Sequence, residues 1–359
     1  RRAGRVELLT RRAPRAYGLV ASAGAIAVAA GPLIGGLFTT YLSWRWVFVG
    51  EVLIVLTILT LIRRMSDVTT EARVPLDFVG TALSALGLGL IVFGILRAGA
   101  WGFVQPKPKA PQWLGLSPSI WLMLGGGVVL WLFTGWENRR IAARAEPLVD
   151  PAMLKNSTLR AGLTSFFFQY LLQAGLFFTV PLFLSVALGL STVATGVRLL
   201  PLSLTLLLAA VGVPRLFPHT SPRRIVRLGF LALFAGTVVM IGSLEAGAGA
   251  EIVTWPMLLA GLGVGALASQ LGSVTVSSVP DQETGEVGGL QNTVTYLGSS
   301  IGTALAGAVL IGALTTSFMT GIQNNPSVPA DVKSKAVIAL IAVFFSLRIP
   351  RQQPSDAEP

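Results

Sequence analysis

The residues with the types and spacing to do chemistry lie inside long apolar runs. Glu51 sits about five residues into one such run, roughly 8 Å deep at 1.5 Å per residue. An acid in hydrocarbon is costly and favours its neutral form, so Glu51 is a candidate for taking up and releasing a proton. A place in a water-filled vestibule or near headgroups would explain it equally. Gln169 and Gln173 are one helical turn apart, with Phe166 and Phe177 on the same stripe. An aromatic wall with a few polar groups suits apolar, often cationic, compounds. The competing reading is polar glue between helices, with the phenylalanines toward lipid. Gln270, Ser273 and Ser277 form a second polar stripe, and Gln291 with Thr295 a third. Each is a candidate cavity lining or a helix contact.

Other chemistries have no residues to rest on. The chain has no cysteine and one histidine, His219, which excludes thiolate chemistry and a histidine-cluster metal site. The run Gly261-Leu262-Gly263-Val264-Gly265 lies inside an apolar stretch with no preceding strand. It reads as close helix packing and not as a phosphate loop. No nucleophile–base–acid set appears, so the chain is not read as an enzyme, and no metal or bound cofactor is expected.

The elements that carry these residues follow from composition. Hydrophobic residues make up 53% of the chain and charged ones 12%, whereas a soluble domain carries about a quarter charged. Mean hydropathy is +0.71. Apolar runs long enough to cross roughly 30 Å of hydrocarbon recur throughout, so the fold class is an all-α polytopic membrane protein. Spans are expected at Ala16–Leu42, Trp46–Ile62, Phe78–Leu96, Ile120–Trp136, Leu163–Leu188, Val193–Val213, Ile225–Ser243, Ile252–Val279 and Leu290–Phe318. Ala336–Leu347 would reach only about 18 Å as a helix, a short or irregular tenth.

The net charge of +11 is read by position. Arginines cluster in alternate loops: Arg11, Arg12 and Arg15, then Arg63 and Arg64, Arg139 and Arg140, and Arg223 and Arg224. That side is expected to be cytoplasmic, with lipid headgroups and not nucleic acid as the anionic neighbours. Asp77 is expected to cap a helix N-terminus, and Arg198 to snorkel to the opposite interface. The chain starts with Arg1 and an arginine-rich loop, which predicts a further part before it.

Gly31-Pro32-Leu33-Ile34-Gly35-Gly36 carries the most information. Gly31 and Gly35 form a GxxxG pair for close helix approach, and Pro32 removes a backbone hydrogen bond and bends the element. Trp44-Arg45-Trp46-Val47-Phe48 follows at the next interface. Together they resemble the Gly-Pro-x-x-Gly-Gly antiporter motif and Trp-Arg-Trp-x-Phe of the major facilitator superfamily, in its 14-span drug:proton antiporter branch (QacA/EmrB type). Leu76-Asp77-Phe78-Val79-Gly80, Pro147-Leu148-Val149-Asp150, Gly196–Pro201 and Gly289–Thr293 fall in the same order as in that branch.

The resemblance implies major facilitator helical bundles, with about nine or ten spans present. Residues 1–15 would be a basic cytoplasmic loop and 16–62 the last two spans of an N-terminal bundle. Residues 63–160 would be a two-helix insertion with its flanking loops, 161–347 the C-terminal bundle and 348–359 a cytoplasmic tail. The first four spans of the family pattern, with their coupling acid and arginine, have no counterpart here. Glu51 and Leu53 stand where the pattern has Asn and Pro. The implied function is proton-coupled multidrug efflux of small hydrophobic or cationic compounds across the cytoplasmic (inner) membrane, as part of a longer chain. The implied partners are the lipid bilayer, a small-molecule substrate and protons, with no nucleic acid and no soluble protein. Two alternatives stay open: transport of another metabolite, and a truncated, non-transporting membrane protein.

Overall fold

The computed structural model describes residues 27, 31, 34–63, 76–107, 110–243, 249–280 and 283–324, the last with side chains to 310. Most of the expected first span, including Pro32, and all of Ala336–Leu347 lie outside the described residues. The chain divides into a larger unit, Arg1–Leu305, and a smaller one, Ala306–Pro359. All packing described below lies within the larger unit.

The described elements are helical: α1 Arg45–Ile62, α2 Phe78–Trp101, α3 Pro118–Ala142, α4 Ser157–Leu182, α5 Thr192–Leu216, α6 Pro222–Ser243, α7 Thr254–Val276 and α8 Thr284–Asn324. Eight helices among the described residues are long and apolar enough to cross a membrane. Their polar ends extend beyond the apolar runs because capping residues, and not hydropathy, set where a helix begins. Asn156 accepts from the Thr158 and Leu159 N–H groups and starts α4 six residues before the apolar run. Ser191 caps α5 through the Ala194 N–H, and Ser117 with Pro118 behind it opens α3. Pro181 cannot supply an N–H to the α4 ladder, and α4 loosens just beyond it into a π turn, Phe183–Ala187.

α7 is the centre of the packing of α4 to α7, set against α5, α6 and α4. Its glycines set those contacts. A Cβ on Gly261 would collide with the Leu202 carbonyl and Thr205 of α5, and one on Gly265 with the Leu206 carbonyl. On another side, a Cβ on Gly263 would lie 2.6 Å from the Gly229 carbonyl of α6. In lipid the apolar phase offers no net drive to pair helices, so such close backbone approach must supply the attraction. Between these contacts sits an apolar core containing Val180, Leu184, Leu206, Leu233, Met257 and Leu267. A smaller cluster joins Met153, Leu159 and Leu163 to Val287 of α8.

α2 and α3 form a separate hairpin held by the same device. Gly80, Gly87 and Gly94 recur every seven residues and are buried. A Cβ on Gly94 would lie 2.8 Å from the Ser119 carbonyl, and one on Gly126 of α3 would lie 2.6 Å from the Gly87 carbonyl. α1, by contrast, buries none of its residues among those described.

Candidate functional site

The stripe on α4 is positioned by two neighbours. Gly162 abuts Thr275 of α7, while Gly298 and Gly302 of α8 admit the backbone carbonyls of Phe167 and Leu171. Helical periodicity then carries Phe166, Gln169 and Gln173 along the stripe of Gly162, toward α7. Phe166 and Gln169 are buried and Gln173 is half-buried. No hydrogen-bond donor reaches the side-chain carbonyl oxygen of either glutamine. A buried acceptor left unpaired costs about 1–3 kcal/mol, so the two Oε1 atoms are positions where a ligand donor would be well received. Phe177 packs against the apolar core of α4–α7, while the Phe166 ring stacks on Tyr170 with centroids 6.4 Å apart.

The other two stripes lie elsewhere. Gln270 is half-buried at the edge of the buried face of α7 and Ser273 is exposed, and the Ser273 hydroxyl donates back to the Gln270 carbonyl at 2.9 Å. Gln291 and Thr295 are half-buried on α8, one and two turns beyond buried Val287. The structure thus brings Phe166, Gln169 and Gln173 onto one stripe of α4, and Gln291 and Thr295 share the α8 stripe of Gly298 and Gly302, which packs on α4 at Phe167 and Leu171. An open apolar groove lined by Thr164, Ser165, Phe168, Leu172, Phe230 and Phe234 contains none of these residues. Its Ser165 hydroxyl is already bonded to the Ala161 carbonyl, so it offers a ligand little polar purchase.

In the Gly-Pro-x-x-Gly-Gly segment, among the described residues nothing lies within 4 Å of a Cβ built on Gly31 or Gly35. The close approach is made one residue later. A Cβ on buried Gly36 would lie 3.0 Å from the Thr192 carbonyl, at the start of α5. Glu51 is exposed on α1. Arg198 is part-exposed and its guanidinium stands 3.8 Å from Glu251, an ion pair beyond the expected snorkelling.

One polar constellation was not foreseen. Asp77 caps α2 through the Gly80 N–H at 2.9 Å and also accepts from the Trp136 indole, at 3.1 Å to Oδ1 and 3.0 Å to Oδ2. Arg140 Nε stands 3.4 Å from Asp77 Oδ2 and donates at 3.1 Å to the Glu146 carbonyl. Buried Glu137 accepts from the Leu148 N–H at 2.9 Å. The strap 146–150 continues outward, where the Asp150 N–H donates to Glu286 of α8 at 3.1 Å. Sequence signals existed: the seven-residue glycine repeat, and a carboxyl at each end of a helix pair beside paired arginines.

A family model described as Major Facilitator Superfamily matches residues 6–303 of this chain. The chain belongs to the major facilitator superfamily. Membership classes this facilitator with multi-pass membrane transporters and not with enzymes. It is 30% identical to a puromycin resistance protein of Streptomyces alboniger, over 88% of the chain and 59% of that protein. It is also 30% identical to a tetracenomycin C resistance and export protein of Streptomyces glaucescens, over 82% of the chain and 52% of that protein. A lincomycin resistance protein of Listeria monocytogenes is 25% identical, over 92% of the chain and 68% of that protein. The chain therefore spans little more than half the length of the first two.

Proposed function

We propose that this facilitator exports small hydrophobic or cationic compounds in exchange for protons, across the cytoplasmic membrane, as part of a longer chain of the 14-span antiporter branch. The observation that carries the reading is the pair of unpaired amide oxygens, Gln169 and Gln173, on one stripe with the Phe166 ring. Oxygen acceptors beside an aromatic face suit a substrate that is largely apolar and bears an N–H or a positive charge. The relatives named for resistance to, or export of, antibiotics support the same direction and substrate class. Glu51 is the proton-coupling candidate, and Gln270, Ser273, Gln291 and Thr295 are secondary contacts. Energy comes from the proton gradient, with no bound cofactor.

The test uses everted membrane vesicles carrying the product of the full coding sequence. Substrate addition should discharge an imposed pH gradient, and Gln169→Leu with Gln173→Leu should lower that response about tenfold or more at unchanged protein level. Glu51→Gln should retain substrate binding and lose the coupled proton movement. Full proton flux in Glu51→Gln would remove that residue from coupling. A wild-type protein with no substrate-stimulated flux would end the antiport reading.

A further inference from the structure

The closed end of the α2–α3 hairpin places two carboxyl groups against one glycine. Asp77 Oδ2 and Glu137 Oε1 both crowd the space that a Cβ on Gly80 would occupy, which sets the two oxygens beside each other. Their other oxygen contacts are satisfied. Asp77 is held by the Gly80 N–H, the Trp136 indole and Arg140, and Glu137 Oε2 accepts from the Leu148 N–H. Glu137 Oε1 alone is left, fully buried, with no donor. Its neighbour is another acceptor. Two ionised carboxylates cannot share such a contact, whereas one carboxylic acid and one carboxylate can, through an O–H···O bond.

We infer that Asp77 and Glu137 bind one proton between them, carried on Glu137 Oε1 and donated to Asp77 Oδ2. The proton makes this end of the hairpin a clasp. It lets Glu137 stay buried while its other oxygen holds the strap at Leu148, and the strap reaches α8 through the Asp150 N–H and Glu286. Among the described residues, the charged groups on the surrounding elements are Arg139 and Arg140 on α3, Arg144 just after it, Glu146 and Asp150 in the strap, Lys155 in the following 3-10 turn and Glu286 on α8. Among the described residues, Arg140 is the one that reaches the pair, at Asp77. One cation beside two carboxyls leaves room for one negative charge, so loss of the proton would set the carboxylates against each other and loosen the Leu148 contact. The inference is independent of the export reading, since the clasp lies in the hairpin and uses none of the stripe residues.

The experiment is infrared spectroscopy of the full chain in lipid nanodiscs at neutral pH, with an exchange into heavy water. The wild type should show a protonated-carboxyl C=O band that shifts on deuteration. Glu137→Gln should fold, because its amide N–H donates to Asp77 in place of the proton, and should lack the band. Asp77→Asn should lack it too, since the asparagine amide then supplies Oε1 with a donor and leaves Glu137 ionised. A wild type without the band overturns the inference, as does a band of undiminished intensity in either variant. Failure of Glu137→Gln to fold overturns it as well, because that variant carries the donor the proton is said to supply.

Discussion

The α2–α3 hairpin and the α4–α8 bundle are built from the same glycine-mediated contacts, yet most polar side chains of the hairpin bind one another while several in the bundle do not. In the hairpin, polar side chains gather at one end, where Asp77 is held by Trp136 and Arg140 and Glu137 holds the Leu148 N–H; Glu137 Oε1 there and Ser119 Oγ at the other end are the oxygens left without a donor. In the bundle, Gln169, Gln173, Thr195 and Ser203 keep buried oxygen atoms without partners. A satisfied network rigidifies, while an unsatisfied one stores a cost that a ligand can relieve. The hairpin is therefore the structural module and the bundle the place where a substrate would gain most.

The largest effect should come from breaking the hairpin network. Asp77→Ala removes the cap on α2 and leaves Arg140 without its carboxylate, which should destabilise the chain by about 3–5 kcal/mol in thermal unfolding. Burial pushes the Asp77 carboxyl up, but the Gly80 N–H, the Trp136 indole and Arg140 outweigh it and hold it below the ordinary aspartate range. A depressed folded value means this contribution is complete above the unfolded value of about 3.9 and fades as pH falls through the folded one. Wild type should therefore show an acid limb in its stability that Asp77→Ala lacks. Equal stabilities at neutral pH would deny the hairpin its structural role.

The next effect compares the glycine seams. Gly126→Leu would drive a side chain into the Gly87 backbone, where neither helix can yield without separating. A loss of about 2–3 kcal/mol is expected, seen as a lower unfolding temperature. Gly125 has nothing within 4 Å of its Cβ position, so Gly125→Leu on the neighbouring face should cost far less. If both substitutions were tolerated alike, the seam would not be holding the hairpin together.

These contrasts mark what was legible in the sequence. Hydropathy placed the described spans, because a run of apolar residues has one physical meaning in a bilayer. The helix-packing glycines Gly261, Gly263 and Gly265 were equally readable, since small residues at helical spacing have few other uses. Asp77 was read as a cap, and it is one. Its link to Trp136, Arg140 and Glu137 was hidden because the partners lie some sixty residues along the chain and meet only when the hairpin closes. The glutamine stripe was visible by its period, but only the packing of Gly162 on Thr275 fixes which neighbour it faces. In the Gly31–Gly36 segment, Gly36 makes the approach to α5 among the described residues. A glycine pattern cannot say which of three neighbours a partner will meet.

A smaller effect, of opposite sign, separates the two uses of polarity. Gln169→Leu replaces a buried group with an unpaired acceptor by an apolar one of similar size. If the glutamine serves a ligand, stability should stay level or rise by about 1 kcal/mol while substrate-stimulated flux falls. If it is helix glue, stability should drop along with flux. The hairpin counterpart, Trp136→Phe, takes a donor away from Asp77 and should cost stability in the ordinary way. Opposite signs at the two sites would sharpen the contrast, and matching losses would dissolve it.

The smallest effect is expected where a charged pair belongs to neither pattern. Arg198 and Glu251 stand 3.8 Å apart, with side chains 39% and 73% exposed. Water and salt screen such a pair, and both side chains lose freedom by meeting, so its worth is about 0.5 kcal/mol or less. Arg198→Gln should thus leave the unfolding temperature within error and remain insensitive to added salt. A marked loss would mean that Arg198 takes part in the buried polar organisation of the bundle. Its neighbour Leu199 is buried in the core and Thr195, one turn earlier, carries a buried unpaired hydroxyl. The guanidinium would then count with the unsatisfied groups, and the bundle's polar surface would extend from the glutamine stripe to the outer end of α5.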